Sequence, residues 1–249
     1  MILLLDIGNT HTHLGLANAT RVLRQKNIPT PGWGTGRAGA QVKAFAGLNK
    51  IECIALCSVV PRATRAAQMA LKKLFKVSAL ELNFKTVCGI GVDYPKPASI
   101  GADRLANAVA VKAHYGAPAV VVDFGTAVTF DVVDRAGNYV GGIIAPGLSV
   151  MTDYLHEKTA LLPAIRIRDI RAVVGKSTEQ AMLIGAVHGY RGLVRELVRE
   201  LKRELKASSL PVVATGGYAH LIAAALPEIK AVEPLLTLEG LRLVAQARA

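Results

Sequence analysis

The sequence is poor in aromatic residues, in cysteine and in acidic groups, and each shortage argues against a class of protein. Aromatics make up 5% of the 249 residues, too few for a single-strand nucleic-acid binder built from stacking platforms. The three cysteines, Cys53, Cys57 and Cys88, cannot all pair, which speaks against a secreted disulfide scaffold. No apolar run approaches the ~20 residues that span a bilayer. The opening run Met1–Leu5 meets Asp6 at once, too short for a signal-peptide core. A soluble, cytoplasmic protein without a membrane partner is the expectation. The 18 acidic side chains face 30 Lys and Arg, giving +12 at pH 7, a field that attracts nucleotides, nucleic acids or small carboxylates. Apolar residues are plentiful at 51%, enough for a sizeable core in one large domain or in two lobes of roughly 120 residues each.

The main organising feature is a repeat. Leu3-Leu4-Leu5-Asp6-Ile7-Gly8-Asn9-Thr10 is an apolar strand-like run that ends in a carboxylate and a turn, with Thr12 to Asn18 as a hairpin partner. The same grammar returns at Val120-Val121-Val122-Asp123-Phe124-Gly125-Thr126, followed by strands at Val128 to Val133 and Tyr139 to Ala145. Asp6 and Asp123 are 117 positions apart, nearly half the chain. Two similar lobes, 1–117 and 118–249, are expected. Helices fill the intervals: Pro61 to Lys76 with proline at its start, Gly101 to His114, and a long stretch from Ser177 to about Lys206. That stretch is interrupted by Gly185, Gly189 and Gly192 and reads as one helix packed on another, or as two. Pro211 to Ala214 reads as a strand, a last apolar helix follows Glu239-Gly240, and Pro29 to Gly39 reads as an extended loop. Strands alternating with helices give an α/β class.

Several patterns imitate chemistry. Gly34, Gly36 and Gly39 match the dinucleotide fingerprint, with Glu52 downstream, but Pro29 to Trp33 stands where a strand is needed. Gly175-Lys176-Ser177-Thr178 resembles the tail of a P-loop, yet the first glycine position is Ile170; a helix N-terminus there can still bind an anion. His11 and His13 share one face of a strand but lack a third ligand for zinc. Cys53 and Cys57 sit in an apolar run and read as core. Arg195, Glu196, Arg199, Glu200, Arg203 and Glu204 read as a solvated, mixed-sign helix face.

What remains points to phosphoryl transfer. Both aspartate turns put a carboxylate beside a glycine and a short polar side chain, which lets backbone N–H groups approach phosphate and a carboxylate approach hydrated Mg²⁺. Thr215-Gly216-Gly217 reads as a wall for the nucleoside. Gly101-Ala102-Asp103-Arg104, at a helix start, sets a base beside an anion anchor.

These segments resemble the type III pantothenate kinases, a family with the two-lobed actin-like ATPase (ribonuclease H-like) fold. The likeness also takes in Ser58-Val59-Val60-Pro61, Gly141-Gly142-Ile143-Ile144-Ala145-Pro146-Gly147, Gly175 to Thr178 with Ala181 and Gly185, and Leu238-Glu239-Gly240-Leu241. The resemblance implies two similar lobes with an ATP cleft between them and transfer of the ATP γ-phosphate to pantothenate, the first step of coenzyme A synthesis. It implies ATP contacts from Asp6, Ile7, Gly8, Asn9, Thr10, His11, Thr12, His13 and Thr126, with Asp6 near Mg²⁺ through water. It makes Asp103 the general base, places pantothenate against Tyr94, Gly101, Ala102, Asp103, Arg104 and Thr178, and gives Asp123 a monovalent cation, K⁺ or NH₄⁺. It also implies a homodimer, for which the glycine-spaced helix is suited. Val128 stands where relatives often carry Thr.

Two rivals share the fold: a kinase for another small hydroxy substrate, and a non-catalytic, transcription-related member of the family. Gly101 to Arg104 speaks against the first. Retention of both aspartate turns and Asp103 speaks against the second, and a nucleic-acid partner is not expected.

Overall fold

The computed structural model describes residues 1–248 and divides into two compact units. The first comprises Met1–His114, Gly137–Val140 and the chain from Leu235 onward; the second comprises Tyr115–Ala136 and Gly141–Pro234.

The first unit is organised by β1 (Ile2–Ile7), whose apolar run makes it the central strand. It pairs antiparallel with β2 (His11–Ala17), which pairs antiparallel with β3 (Val22–Pro29). Helix α1 (Arg37–Ala46) leads to β4 (Cys53–Ser58), parallel to β1, and α2 (Pro61–Phe75) leads to the two-residue β5 (Leu80–Glu81). The sheet order is β3-β2-β1-β4-β5. Because strand side chains alternate, Leu3, Leu5 and Ile7 join one core with Val42, Phe45, Ala67 and Leu71 of the two helices. Each such fully buried Leu or Ile contributes roughly 1.5–3 kcal/mol. Leu4 faces the other side, where a Cβ on Gly15 would lie 3.2 Å from Leu4 Cβ and 3.3 Å from Leu238. Asp6 shares that second face by the same alternation. Strand β6 (Gly91–Val92) pairs in parallel with Asn138–Tyr139, and α3 (Ala102–Tyr115) buries Leu105, Ala106, Ala108 and Val109.

The closing helix, Leu236–Ala247, falls in the second half by sequence order, but it packs on β1 and β4 of the first unit. It also begins before Glu239-Gly240 rather than after. Gly240 lies inside it because a Cβ there would fall 2.0 Å from the Ala106 carbonyl oxygen of α3. The expected extended loop at Pro29 to Gly39 is likewise ordered differently. Its first residue ends β3, Thr30–Trp33 forms a 3₁₀ turn with a buried Trp33, and α1 starts at Arg37.

The second unit repeats the plan. β7 (Ala119–Phe124) pairs antiparallel with β8 (Ala127–Val133), and β9 (Asn138–Pro146) follows. After α4 (Leu148–Lys158) comes α5 (Thr178–Ile184), which runs without a break through a π-turn at Gly185–Gly189 into α6 (Tyr190–Glu204). β10 (Val212–Thr215) is parallel to β7, and β11 (Ala231–Val232), after the short α7 (Ala219–Ala223), is parallel to β10. The order β9-β8-β7-β10-β11 reproduces β3-β2-β1-β4-β5 with the same strand senses in the pairs adjoining β1 and β7. Asp6 and Asp123 are each the penultimate residue of the central strand.

Charge is divided unevenly. The first unit carries 17 Lys and Arg against six Asp and Glu, the second 13 against 12. Among the described residues no helix is long and apolar enough to cross a membrane.

Candidate active site

In the first unit, register brings together residues that are distant in sequence. Asp6 on β1 lies opposite Cys57 on β4, and the Cys57 thiol donates to Asp6 Oδ1 at 3.4 Å. Burial pushes the Asp6 carboxyl up to about 7, and the negative charge of Asp103 pushes in the same direction. Asp103 is therefore close enough to act on Asp6 through space. Its own carboxyl is raised by burial, against the lowering effect of the Arg104 amide and guanidinium. The Cys57 thiol is driven well above its ordinary value by burial and by the two carboxylates. It stays protonated and donates to Asp6.

Asp103 sits in the first turn of α3, with the Arg104 amide donating to its Oδ1 at 2.9 Å. The side chain folds back over residue 101, where a Cβ would lie 2.5 Å from that oxygen. Gly101 is required for this conformation. The Arg104 guanidinium lies 5.7 Å from the centroid of Tyr139, and Tyr94 meets the same ring edge-on at 6.2 Å. Tyr139 is fully buried. It joins Tyr94 to Arg104, and nothing in the sequence singles it out, since it stands 45 positions after Tyr94. Cys57 reads as core and no more from sequence; its contact with Asp6 depends on a strand register that the sequence does not display.

The turn after β1 is closed by the Gly8 amide donating to His11 O at 3.0 Å. The Asn9 and Thr10 amides donate to no protein acceptor among the described residues. Backbone N–H groups of this kind suit an anion. His13 Nδ1 pairs with Asn27 Oδ1 at 2.8 Å, and among the described residues no group of three or more His, Cys, Asp or Glu is placed to hold a metal. Glu52 pairs with the Met1 amine and Lys50.

In the second unit the equivalent turn is Gly125-Thr126, between β7 and β8. The Gly147 amide donates to Thr126 O at 3.0 Å, and a Cβ on Gly147 would fall 2.1 Å from that oxygen. Gly216, at φ +91°, presses on the other side of the strand end. A Cβ there would lie 2.6 Å from Asp123 Oδ1 and 2.7 Å from the Phe124 backbone. The segment read as a nucleoside wall thus has one glycine dictated by packing on Asp123. Thr178 is the first residue of α5, behind Ser177, whose hydroxyl caps the helix by accepting from the Gln180 amide at 3.2 Å. The P-loop imitation is a helix cap. Glu196 and Arg199 pair at 2.7 Å on the exposed face of α6, as expected of the mixed-sign face.

A duplicated sheet with a carboxylate at the end of each central strand defines the class: an α/β protein of the actin-like ATPase fold. A solved structure from Campylobacter jejuni, provisionally placed among Baf family transcriptional activators, superposes with a TM-score of 0.65 at 18% identity, covering 99% of this chain and 98% of that one. The activator of 2-hydroxyisocaproyl-CoA dehydratase from Clostridium difficile, with bound ADPNP, gives 0.53 at 15% identity over 99% and 94%. Sequence narrows the class. The model of the type III pantothenate kinase family matches residues 2–200. Type III pantothenate kinases of Methylacidiphilum infernorum and Akkermansia muciniphila are 44% and 46% identical over 98% of this chain, covering 88% and 97% of theirs. The chain belongs to the type III pantothenate kinase family.

Proposed function

We propose that this chain transfers the γ-phosphoryl group of ATP to pantothenate, giving 4′-phosphopantothenate at the first step of coenzyme A biosynthesis, in the cytoplasm. The observation that supports the site assignment is that Asp6, at the end of β1, and Asp103, at the head of α3, lie in one unit and near enough for the charge of Asp103 to raise the Asp6 carboxyl.

Asp103 accepts the proton of the pantothenate hydroxyl. Its raised carboxyl is a better base than an exposed aspartate, and work of this kind contributes about 10²–10⁴-fold. Proton removal is late in phosphoryl transfer, so orienting the hydroxyl is the larger part of the task. Gly101, Ala102, Arg104, Tyr94 and Thr178 hold the acceptor. Arg104 is steadied by the Tyr139 ring and attracts the substrate carboxylate. Asp6, Gly8, Asn9, Thr10, His11 and His13 form the first ATP segment over the buried Ile7 and Thr12, and Thr126 the second.

Hard carboxylate oxygens at Asp6, crowded by the charge of Asp103, fit a divalent cation such as Mg²⁺. Without a third side-chain ligand the donor set suits an ion that keeps several waters and takes phosphate oxygens. When bound, Mg²⁺ supplies charge neutralisation on the phosphates. Asp123 takes K⁺ or NH₄⁺ with the same oxygen chemistry.

The homodimer is carried by Gly185, Gly189 and Gly192. All three are exposed, and a Cβ on any of them would meet nothing within 4 Å. Nothing among the described residues requires glycine there, whereas close approach of a second copy does. The test is ADP release from MgATP with and without pantothenate, in potassium and in sodium. Turnover that needs pantothenate and potassium or ammonium is expected; ADP release indifferent to pantothenate would overturn the substrate, and equal rates in sodium would overturn the cation.

A further inference from the structure

A buried chain of hydrogen bonds runs from Trp33 to the turn after β1. Trp33 Nε1 lies 3.0 Å from Thr12 Oγ1, Thr12 Oγ1 lies 3.0 Å from Thr30 Oγ1, and Thr30 Oγ1 lies 2.7 Å from the Gly8 carbonyl oxygen. Thr12, Thr30 and Trp33 are 0%, 4% and 5% exposed. Elementary chemistry fixes every proton. An indole N–H only donates, a carbonyl only accepts, and each hydroxyl has one proton. Trp33 therefore donates to Thr12, Thr12 to Thr30, and Thr30 to Gly8, and none of the three links can reverse.

Thr30 grips the turn twice, since its amide also donates to the Thr10 carbonyl at 3.0 Å. An external grip is needed here. Two-residue hairpin links that match the strand twist use residues with positive φ, and none of Gly8, Asn9 and Thr10 has one. Asn9, Thr10 and His11 are exposed, while Thr12, Thr30 and Trp33 beneath them are buried.

We propose that Thr12, Thr30 and Trp33 are positioning residues that preset this turn for the phosphates of a nucleoside triphosphate, and that Trp33 reports optically on its occupancy. The inference rests on reading the turn as the ATP segment. Because the hydrogen-bond directions are locked, a phosphate drawing on the turn's amides changes the polarity felt at Gly8 O and, through two hydroxyls, at the indole N–H. Trp33 is the sole tryptophan, so its emission reports from one place.

The experiment adds adenylyl imidodiphosphate with Mg²⁺ to the intact protein and follows Trp33 emission beside an independent calorimetric titration. A saturable emission change with the calorimetric dissociation constant is expected. Thr30→Val, which removes the hydroxyl at nearly constant volume, should raise KM for ATP about tenfold, the loss of one buried hydrogen bond. KM for pantothenate should stay within twofold, and Thr30→Ser should restore the wild-type value. Trp33→Phe, which keeps an aromatic ring in the core but loses the indole N–H together with part of the ring's volume, should raise KM for ATP two- to threefold and covers the case in which Thr30→Val does not fold. Calorimetric binding with silent emission, or an unchanged KM for ATP in Thr30→Val or, where that variant does not fold, in Trp33→Phe, would overturn the proposal. Absence of calorimetric binding would remove the reading of the turn itself, and the proposal with it.

Discussion

Asp6→Asn should stabilise the protein at neutral and alkaline pH while it removes turnover. The Asp6 carboxyl is raised from 3.8 to about 7 in the folded chain. Between those values the folded state holds a proton that the unfolded state has released, so folding stability falls as pH rises through the window and stays low above it. At about 1.4 kcal/mol per pH unit that rise is worth about 4 kcal/mol, which screening at a half-buried group reduces to roughly 2–4 kcal/mol. Asparagine keeps the shape and can still accept from the Cys57 thiol, but it never ionises. The stability gain of the variant over wild type should therefore be constant below pH 4, grow between pH 4 and 7, and level off above. Urea unfolding of both proteins without Mg²⁺, at pH 5 and pH 8, measures it directly. Comparing the two proteins at each pH cancels the titration of the other carboxyls. A gain that is equal at both pH values, or a wild type that becomes more stable relative to the variant as pH rises, would refute the reasoning.

Three further outcomes follow from the geometry. The Cys57 thiol, buried and facing two carboxylates, should resist Ellman's reagent in the native protein and react on unfolding, while the half-buried Cys53 and Cys88 react earlier. Gly216→Ala should cost at least about 2 kcal/mol by urea unfolding, because its Cβ collides with Asp123 and the Phe124 backbone at a φ of +91°; Gly217→Ala, with open space around it, should cost less than about 1 kcal/mol. The concentration of positive charge on the first unit should make kcat/KM for the anionic substrates fall as tetramethylammonium chloride is added at fixed K⁺, with kcat little changed.

Features set by local pattern show in the sequence, and features set by contacts between distant segments do not. The aspartate turns were legible because an apolar strand that stops at Asp-x-Gly is a local pattern, and its return 117 residues later reflects the duplicated sheet. Gly101-Ala102-Asp103-Arg104 was legible as a helix head, yet the reason for its glycine is the folded-back carboxylate. Other features use contacts between distant segments. Pro29 to Gly39 looks like a loop by composition and becomes a buried anchor only because Trp33 enters the core. Gly240 looks like a helix boundary and is instead the place where the Ala106 carbonyl touches the closing helix. Cys57 reaches Asp6 through the parallel register of β1 and β4, across 51 positions. Strands β5, β6 and β11 have two residues each, too short to carry any periodicity.

The central role is that of Asp103 as the base for the pantothenate hydroxyl. The measurement is pantothenate-dependent ADP release by wild type and Asp103→Asn at saturating MgATP and potassium. The account predicts steady turnover in wild type and a kcat at least about 100-fold lower in the variant, with nucleotide binding by calorimetry unchanged. A variant that keeps wild-type kcat with pantothenate would contradict it.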